Sequence, residues 1–260
     1  MRFSLVLERT GKKNFLPFNY QYELSSWIYK VISMADTDFS NFLHGSAFQS
    51  GTKSFKLFTF SNLDLRPFRI HKQHGRIEII GKHAVLQISF MVDKAAENFI
   101  KGLFLNQQFS IGDKISNVDF CVSRIESESA PIFTERMVYR TLSPMCVSIH
   151  GERHAQYISP SDREYESLLF ANLIGKLKSM PLLHGNKSLQ AVPEEESGFS
   201  LLSEPKSRLI SIKSFTRDET RVRGYEFKFE LRASPLLQEI GYYSGFGEKN
   251  STGFGCVEIV

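Results

Sequence analysis

The 260-residue chain is poor in several features, and each shortage excludes a class of function. It has three cysteines, Cys121, Cys146 and Cys256, far apart and odd in number. They frame neither a disulfide scaffold nor a metal motif. They read as small buried hydrophobes and predict a reducing, cytoplasmic setting. No run of eighteen apolar residues occurs, so no membrane span is expected. The opening Met1-Arg-Phe-Ser-Leu-Val-Leu-Glu8 alternates at once and lacks the apolar region of a signal peptide. No Lys-Ser/Thr pair follows a G-x-x-x-x-G loop, which excludes a P-loop. The histidines supply no metal set. His71 and His74 are followed by Gly75, His150 and His154 are divided by Gly151, and His83 and His184 have no notable context. A zinc site needs three or four ligands, so no metal or other cofactor is expected.

What is present is phenylalanine, 23 residues of it, and glycine gathered near the end. Gly241 to Gly255 reads G-Y-Y-S-G-F-G-E-K-N-S-T-G-F-G. Glycine lets backbone amides approach a partner closely, and successive amides can cradle an anion. Lys249, Asn250 and Ser251 add donors suited to phosphate. Gly245, Gly247, Lys249, Asn250, Ser251 and Gly253 are thus candidates for contact with a phosphate backbone. A tight turn before a terminal strand is the competing use of the same glycines. No helix is expected after the motif, so it is no dinucleotide fingerprint. Charge is unevenly spread: residues 1–124 carry a net +6 and residues 125–260 a net −2. A mildly basic first half is compatible with nucleic acid, without a polybasic tail.

Along the chain, Phe3, Leu5 and Leu7 alternate as a first strand. After a loop from Gly11 to Pro17, Asn19 is expected to cap a helix from Tyr20 to about Met34, with Leu24, Trp27, Ile28 and Val31 on its apolar face. A second helix from Asp36 or Thr37 ends near Leu43, at His44-Gly45. A polar loop, 46–54, precedes a strand over Phe55–Leu63. A strand pair, Arg76–Ile80 and Ala84–Phe90, leads to a helix capped by Asp93 and ending near Leu105. Ile115–Ile125 is the last strand. The second half repeats this order. Its strand region over Arg136–Ile149 is broken at Ser143-Pro144, and a loop runs from Gly151 to Pro160. Ser161 to Glu164 is a capping box opening a helix to about Lys178. Strands follow over Ser207–Ser214 and Tyr225–Ala233, then a helix from Ser234-Pro235 to Gly241 and a strand over Gly253–Val260. Asn186 to Ser200, with Glu194, Glu195 and Glu196, reads as an irregular insertion. Two β-α-β-β-α-β units predict an α+β protein of tandem ferredoxin-like domains, 1–124 and 125–260.

His44 stands apart from the other histidines. It closes a helix beside Gly45, ahead of a loop rich in Gly, Ser and Lys. An exposed histidine there exchanges protons near neutrality. With Tyr29 on the first helix and Lys53 and Lys56 after the loop, it suits phosphodiester chemistry without a metal: histidine moves the proton and lysine offsets charge on the phosphorane. Lys213, Arg217, Arg221 and Arg223 flank an expected hairpin turn that would track a phosphate backbone.

Trp27-Ile-Tyr29-Lys, Asn41-Phe-Leu-His44, Phe55-Lys56-Leu-Phe-Thr-Phe-Ser61, Leu142-Ser-Pro144, Tyr157-Ile-Ser-Pro-Ser-Asp162 and above all the terminal G-F-G-E-K-N-S-T-G-F-G resemble the Cas6 group of CRISPR RNA-processing endoribonucleases. The resemblance runs from the first strand to the last residue. It implies a protein that binds the repeat of a precursor CRISPR RNA and cuts it once without metal. The ribose 2′-OH attacks, leaving a 2′,3′-cyclic phosphate and a 5′-OH. His44 would be the general acid/base, Tyr29 an orienting group and Lys56 the charge stabiliser. The loop before Lys56 looks longer than usual in the group and holds a second lysine, Lys53, so either lysine can fill that role. Implied partners are the repeat RNA, a CRISPR effector complex and a second copy of the chain. Two other readings carry less: a repeat-RNA holder without catalysis, and an RNA-recognition motif, which Thr252 and Ile259 fit poorly.

Overall fold

The structure, a computed structural model, describes residues 1–45, 47–150, 155–180, 197–214 and 216–260, with His150 described by its backbone alone. The readings of His154, His184 and Glu194 to Glu196, and of the His150 side chain, lie outside the described residues.

The first half runs β1 (Arg2–Arg9), β2 (Phe15–Pro17), α1 (Gln21–Ala35), α2 (Thr37–His44), β3 (Phe48–Ser50), β4 (Lys53–Phe55), β5 (Phe58–Phe60), β6 (Phe68–His71), β7 (Arg76–Ile79), β8 (His83–Phe90), α3 (Asp93–Leu105), β9 (Gln108–Gly112) and β10 (Asn117–Ser127). The second runs β11 (Arg136–Thr141), β12 (Ser148–His150), β13 (Ala155–Tyr157), α4 (Tyr165–Lys178), β14 (Gly198–Leu201), β15 (Lys206–Ile212), β16 (Thr220–Glu226), β17 (Lys228–Arg232), α5 (Pro235–Ser244) and β18 (Val257–Ile259). One antiparallel sheet has the order β5-β8-β1-β10-β9 and another the order β14-β17-β11-β18. In each unit's own numbering the four shared strands lie in the order second, third, first, fourth. The fold is thus a tandem ferredoxin-like one.

Local chemistry explains most elements. Phe3, Leu5 and Leu7 of β1 are buried, as their alternation requires, and so are Leu24, Ile28, Val31 and Ile32 of α1. Asp36 accepts from the Phe39 amide at 2.9 Å and starts α2. Ser234 accepts from the Leu237 amide and, with Pro235, starts α5. A single apolar cluster extends from Phe3 to Val257, so both units share it. Arg2 pins them together. Its guanidinium donates to the Val257 carbonyl at 2.7 Å, pairs with Glu128 at 3.1 Å and lies over the Tyr242 ring.

Several expectations change. The Asn19 side chain does not cap α1; it accepts from the Ser211 amide across the unit boundary. Asp93 is the first residue of α3 rather than its cap, and the box at Ser161 does not form: α4 starts at Tyr165 with Glu164 in the cap position, and Asp162 instead accepts from the Ser159 amide. Residues 15–17, expected in a loop, pair with β7, and the loop 46–54 contains the β3–β4 hairpin. β7 and β8 are not partners: β7 pairs with β2 and β6, β8 with β1 and β5. The strand expected over Phe55–Leu63 breaks at Leu57, whose φ of 55° is left-handed. The Gly151–Pro160 loop contains β13, the second half also gains β14 and β16, and β9 is added to the first. The strand expected over Ser207–Ser214 forms as β15 and pairs with β16 in the hairpin expected there. α5 runs past Gly241 to Ser244, and a Cβ at Gly241 would lie 2.2 Å from the Phe246 ring. A division after Arg124 falls inside β10; the first sheet ends at Ser127 and the second opens at Arg136.

Candidate active site

Three elements of the first unit bring together the residues expected to react. Tyr29 lies on the buried face of α1, His44 is the last residue of α2, and Lys56 follows β4. The rings of Tyr29 and His44 lie 4.0 Å apart between centroids, tilted by 32°, and Phe58 closes the far side of Tyr29 edge-on. The Lys56 ammonium donates to the His44 carbonyl at 3.2 Å. Burial first, and then the charge of Lys56, hold the His44 imidazole below its ordinary pKa. Burial likewise lowers Lys56. Burial raises the Tyr29 phenol to about 12, with the Ser251 side chain opposing it. At neutral pH the histidine is therefore neutral and the tyrosine a donor rather than a base.

Ser251 belongs to the glycine motif of the other unit. That motif lies against α1 and β5. On α1, Gln21, Ser25 and Tyr29 recur every four residues and form one stripe. Gln21 packs against Gly253, the Ser25 hydroxyl donates to the Ser251 carbonyl at 2.6 Å, and Tyr29 faces the Ser251 side chain. On β5, the Thr59 hydroxyl donates to the Phe254 carbonyl at 3.0 Å.

The glycines of the loop pack against the protein itself, which is the tight-turn use of them. Gly245, Gly247 and Gly253 are buried. Gly247 has a φ of 68°, and a Cβ there would lie 2.4 Å from the Cys146 carbonyl oxygen. Gly255, with a φ of 76°, would meet the Phe246 carbonyl oxygen at 2.0 Å. The close approach they permit is to the protein's own backbone. The Gly253 amide donates to the Asn250 carbonyl. The Asn250 side chain is also engaged inside the loop: its amide donates to the Phe246 and Phe254 carbonyls at 3.0 and 3.1 Å. Lys249 stands exposed at the tip.

A residue that the sequence pattern had not singled out holds this loop. Lys176 on α4 is 1% exposed, and its ammonium donates to the carbonyls of Gly245 at 2.5 Å and Gly247 at 3.0 Å and to the Asn250 side-chain oxygen at 2.7 Å. Burial lowers its pKa to about 7, against the Cys146 thiol and the Glu248 carboxylate. The signal was present. Leu169, Asn172, Leu173 and Lys176 follow helical spacing, which puts an amide and a lysine on the apolar stripe of α4.

The remaining candidates divide between two places. Lys53 is exposed on β4, beside Lys56. Lys213, Arg217, Arg221 and Arg223 belong to the β15–β16 hairpin, which meets the glycine motif through Ile210 and Val222 packed with Phe254. Arg221 and Arg223 are exposed on its outer face; Arg223 donates to the Ser207 hydroxyl, Arg221 pairs with Glu219 at 3.5 Å, and Lys213 with Asp218 at 3.6 Å. The fold does not join these four to the His44 cluster; it places them on a separate surface behind Phe254.

Paired ferredoxin-like units define a two-unit α+β architecture, with a histidine, a tyrosine and a lysine gathered beside a glycine loop. Family models place it further: residues 15–126 match the N-terminal domain of CRISPR-associated protein Cas6 and residues 126–259 its C-terminal domain. The chain is 31% identical to a CRISPR-associated endoribonuclease Cas6 of Methanocaldococcus jannaschii, over 99% of this chain and 92% of that protein. It is 28% identical to the CRISPR-associated endoribonuclease Cas6 of Pyrococcus furiosus, over 100% and 90% respectively. A solved structure of a Cas6-related gene product from Pyrococcus furiosus superposes with a TM-score of 0.80 at 24% identity, covering 100% of this chain and 98% of that one, and supports the fold. The chain belongs to the Cas6 family of CRISPR-associated endoribonucleases.

Proposed function

We propose that this chain binds the repeat of a precursor CRISPR RNA and cleaves it by intramolecular transesterification at the His44 cluster. The observation that carries this reading is the meeting of Tyr29, His44 and Lys56 from three separate elements beside Ser251. A neutral His44 takes the proton of the ribose 2′-OH as its oxygen attacks the adjacent phosphorus. The bond to the 5′-oxygen breaks, and that oxygen takes up a proton. The products are a 2′,3′-cyclic phosphate and a 5′-OH. Lys56, aided by Lys53, offsets charge on the phosphorane. Tyr29, un-ionised with its pKa near 12, orients the reacting groups by donating a hydrogen bond. The need for a 2′-OH makes RNA, not DNA, the substrate. These steps are assigned to His44, Tyr29 and the lysines and call for no metal. The exposed Lys249 and the outer face of the β15–β16 hairpin hold the RNA backbone. A CRISPR effector complex and a second copy of the chain are the further partners of this reading.

The test is cleavage of the host's repeat RNA in the presence of a chelator, beside the same RNA with a 2′-deoxy nucleotide before the scissile phosphate. Cutting of the first and not the second is expected. His44→Ala should bind the RNA but lose about 10²–10⁴ in rate. Loss of cutting on chelation, or full activity in His44→Ala, would overturn the reading.

A further inference from the structure

α4 carries a second polar side chain on its buried face. Asn172 is 5% exposed, and its side-chain oxygen has no hydrogen-bond partner. A buried polar atom without a partner is uncommon in native folds and invites a partner from outside the chain. Asn172 lines a cleft of about 440 Å³ between β4, the turn at Leu57, α4 and the glycine loop. One wall is apolar, from Phe55, Leu57 and Phe58, and the rim is cationic, from Lys53, Lys56 and Lys249. Lys56 also touches the His44 carbonyl, so the cleft opens beside the reacting phosphate. Lys176 lies in the same cleft but already has three acceptors.

We propose that this cleft holds the base of one nucleotide next to the scissile phosphate, and that Asn172 reads its hydrogen-bonding edge. A carboxamide sets an acceptor beside a donor, which complements the edge of a splayed-out base. The apolar wall suits the flat face of that base, and the lysines suit the phosphates on either side of it. A phosphate alone would leave the wall bare and set its oxygens against the Asn172 oxygen. Asn172 is thus a specificity-determining residue. The assignment rests on the reading of His44, Tyr29 and Lys56 as the cleavage site.

The experiment uses the full chain and repeat RNAs in which each nucleotide flanking the scissile phosphate is varied through the four bases and an abasic residue. Single-turnover cleavage is measured, along with binding of a 2′-deoxy, uncleavable version of each. At one position the wild type should discriminate by about tenfold or more, in cutting and in binding. Asn172→Leu should flatten that preference while leaving the order of bases at other positions unchanged. Asn172→Asp, which presents two acceptors, should shift the preference towards guanine, whose edge offers two adjacent donors. Thermal melts of both variants separate misfolding from misreading, and one folded variant suffices. A wild type indifferent at every flanking position overturns the proposal, as does a folded variant that keeps the wild-type preference. Base-ranked binding that needs Asn172, without any cutting, would sink the cleavage reading and leave the base subsite standing.

Discussion

α1 and α4 follow the first strand of their respective units, and both reach the same glycine loop, α1 with the stripe Gln21, Ser25 and Tyr29 and α4 with Asn172 and Lys176. They treat polar groups in opposite ways. α1 delivers Tyr29 against the ring of a histidine that faces solvent. α4 buries a lysine and occupies all three of its donors on loop oxygens. The two lysines of the region differ in the same manner. Lys56 is half-buried and burial lowers its pKa, whereas Lys176 is sealed in and burial takes its pKa down to about 7. The lesson is that a duplicated topology brings equivalent helices to one place, while burial decides which does chemistry and which does support.

The hardest way to break the support side is at the loop itself. Gly255→Ala sets a Cβ 2.0 Å from the Phe246 carbonyl oxygen at a left-handed φ. We expect a loss of about 3 kcal/mol or more in urea unfolding. Gly51→Ala, also at positive φ but with nothing within 4 Å, should cost only about 1 kcal/mol. Equal losses would show that backbone strain, not steric contact, dictates glycine in the motif.

Lys176→Met tests the buried lysine. It leaves the Gly245 and Gly247 carbonyls and the Asn250 oxygen without their donor, at a cost of about 2 kcal/mol at pH 7. The pKa of Lys176 is depressed in the fold, so between about 7 and its unfolded value the unfolded chain binds more protons. Wild-type stability gained from this group therefore rises with pH across that window, by up to about 1.4 kcal/mol per pH unit. The gap between wild type and variant should widen from pH 7 to pH 9 in thermal melts. A gap that narrows would show that Lys176 stays charged.

Lys56→Ala sharpens the catalytic side. Both burial and Lys56 lower His44, so the cleavage rate should stay level as pH falls through 6.5 and drop only below it. Removing the lysine should slow the reaction and move that drop part of the way back up, with burial holding the rest. An unmoved pH–rate profile would put Lys53, not Lys56, beside the histidine. The smallest effects belong to the hairpin. Arg221→Ala or Arg223→Ala should weaken RNA binding evenly across sequences and reduce the salt slope by about 0.7–0.9 for each phosphate that is no longer neutralised. An unchanged slope would take that face out of the RNA path.

Much of the fold was legible because its signals are local. The alternation in β1, the stripe on α1, the Asp36 cap and the Ser234-Pro235 start each involve residues within a turn or two. What escaped has its partner far along the chain. β2 is three residues paired with β7, and the Asn19 side chain serves an amide 192 residues away. Within the site, His44 could be picked out by its place at a helix end and Tyr29 by its nearness. Lys176 was legible in principle, as a lysine on an apolar stripe, but helical spacing alone cannot say what such a lysine meets.

The order of elements, the duplication and the presence of a glycine motif at one end are properties of the sequence, since hydrophobic period, capping and turn chemistry act over short stretches. The tertiary structure alone decided where that motif goes. Packing carried it across to α1 and β5, so its glycines face protein and its Ser251 meets Tyr29. Burial took Lys176 down to a pKa of about 7, and packing set the Lys56 ammonium on the carbonyl at the end of α2. Each depends on desolvation and packing between distant segments, which no local pattern encodes.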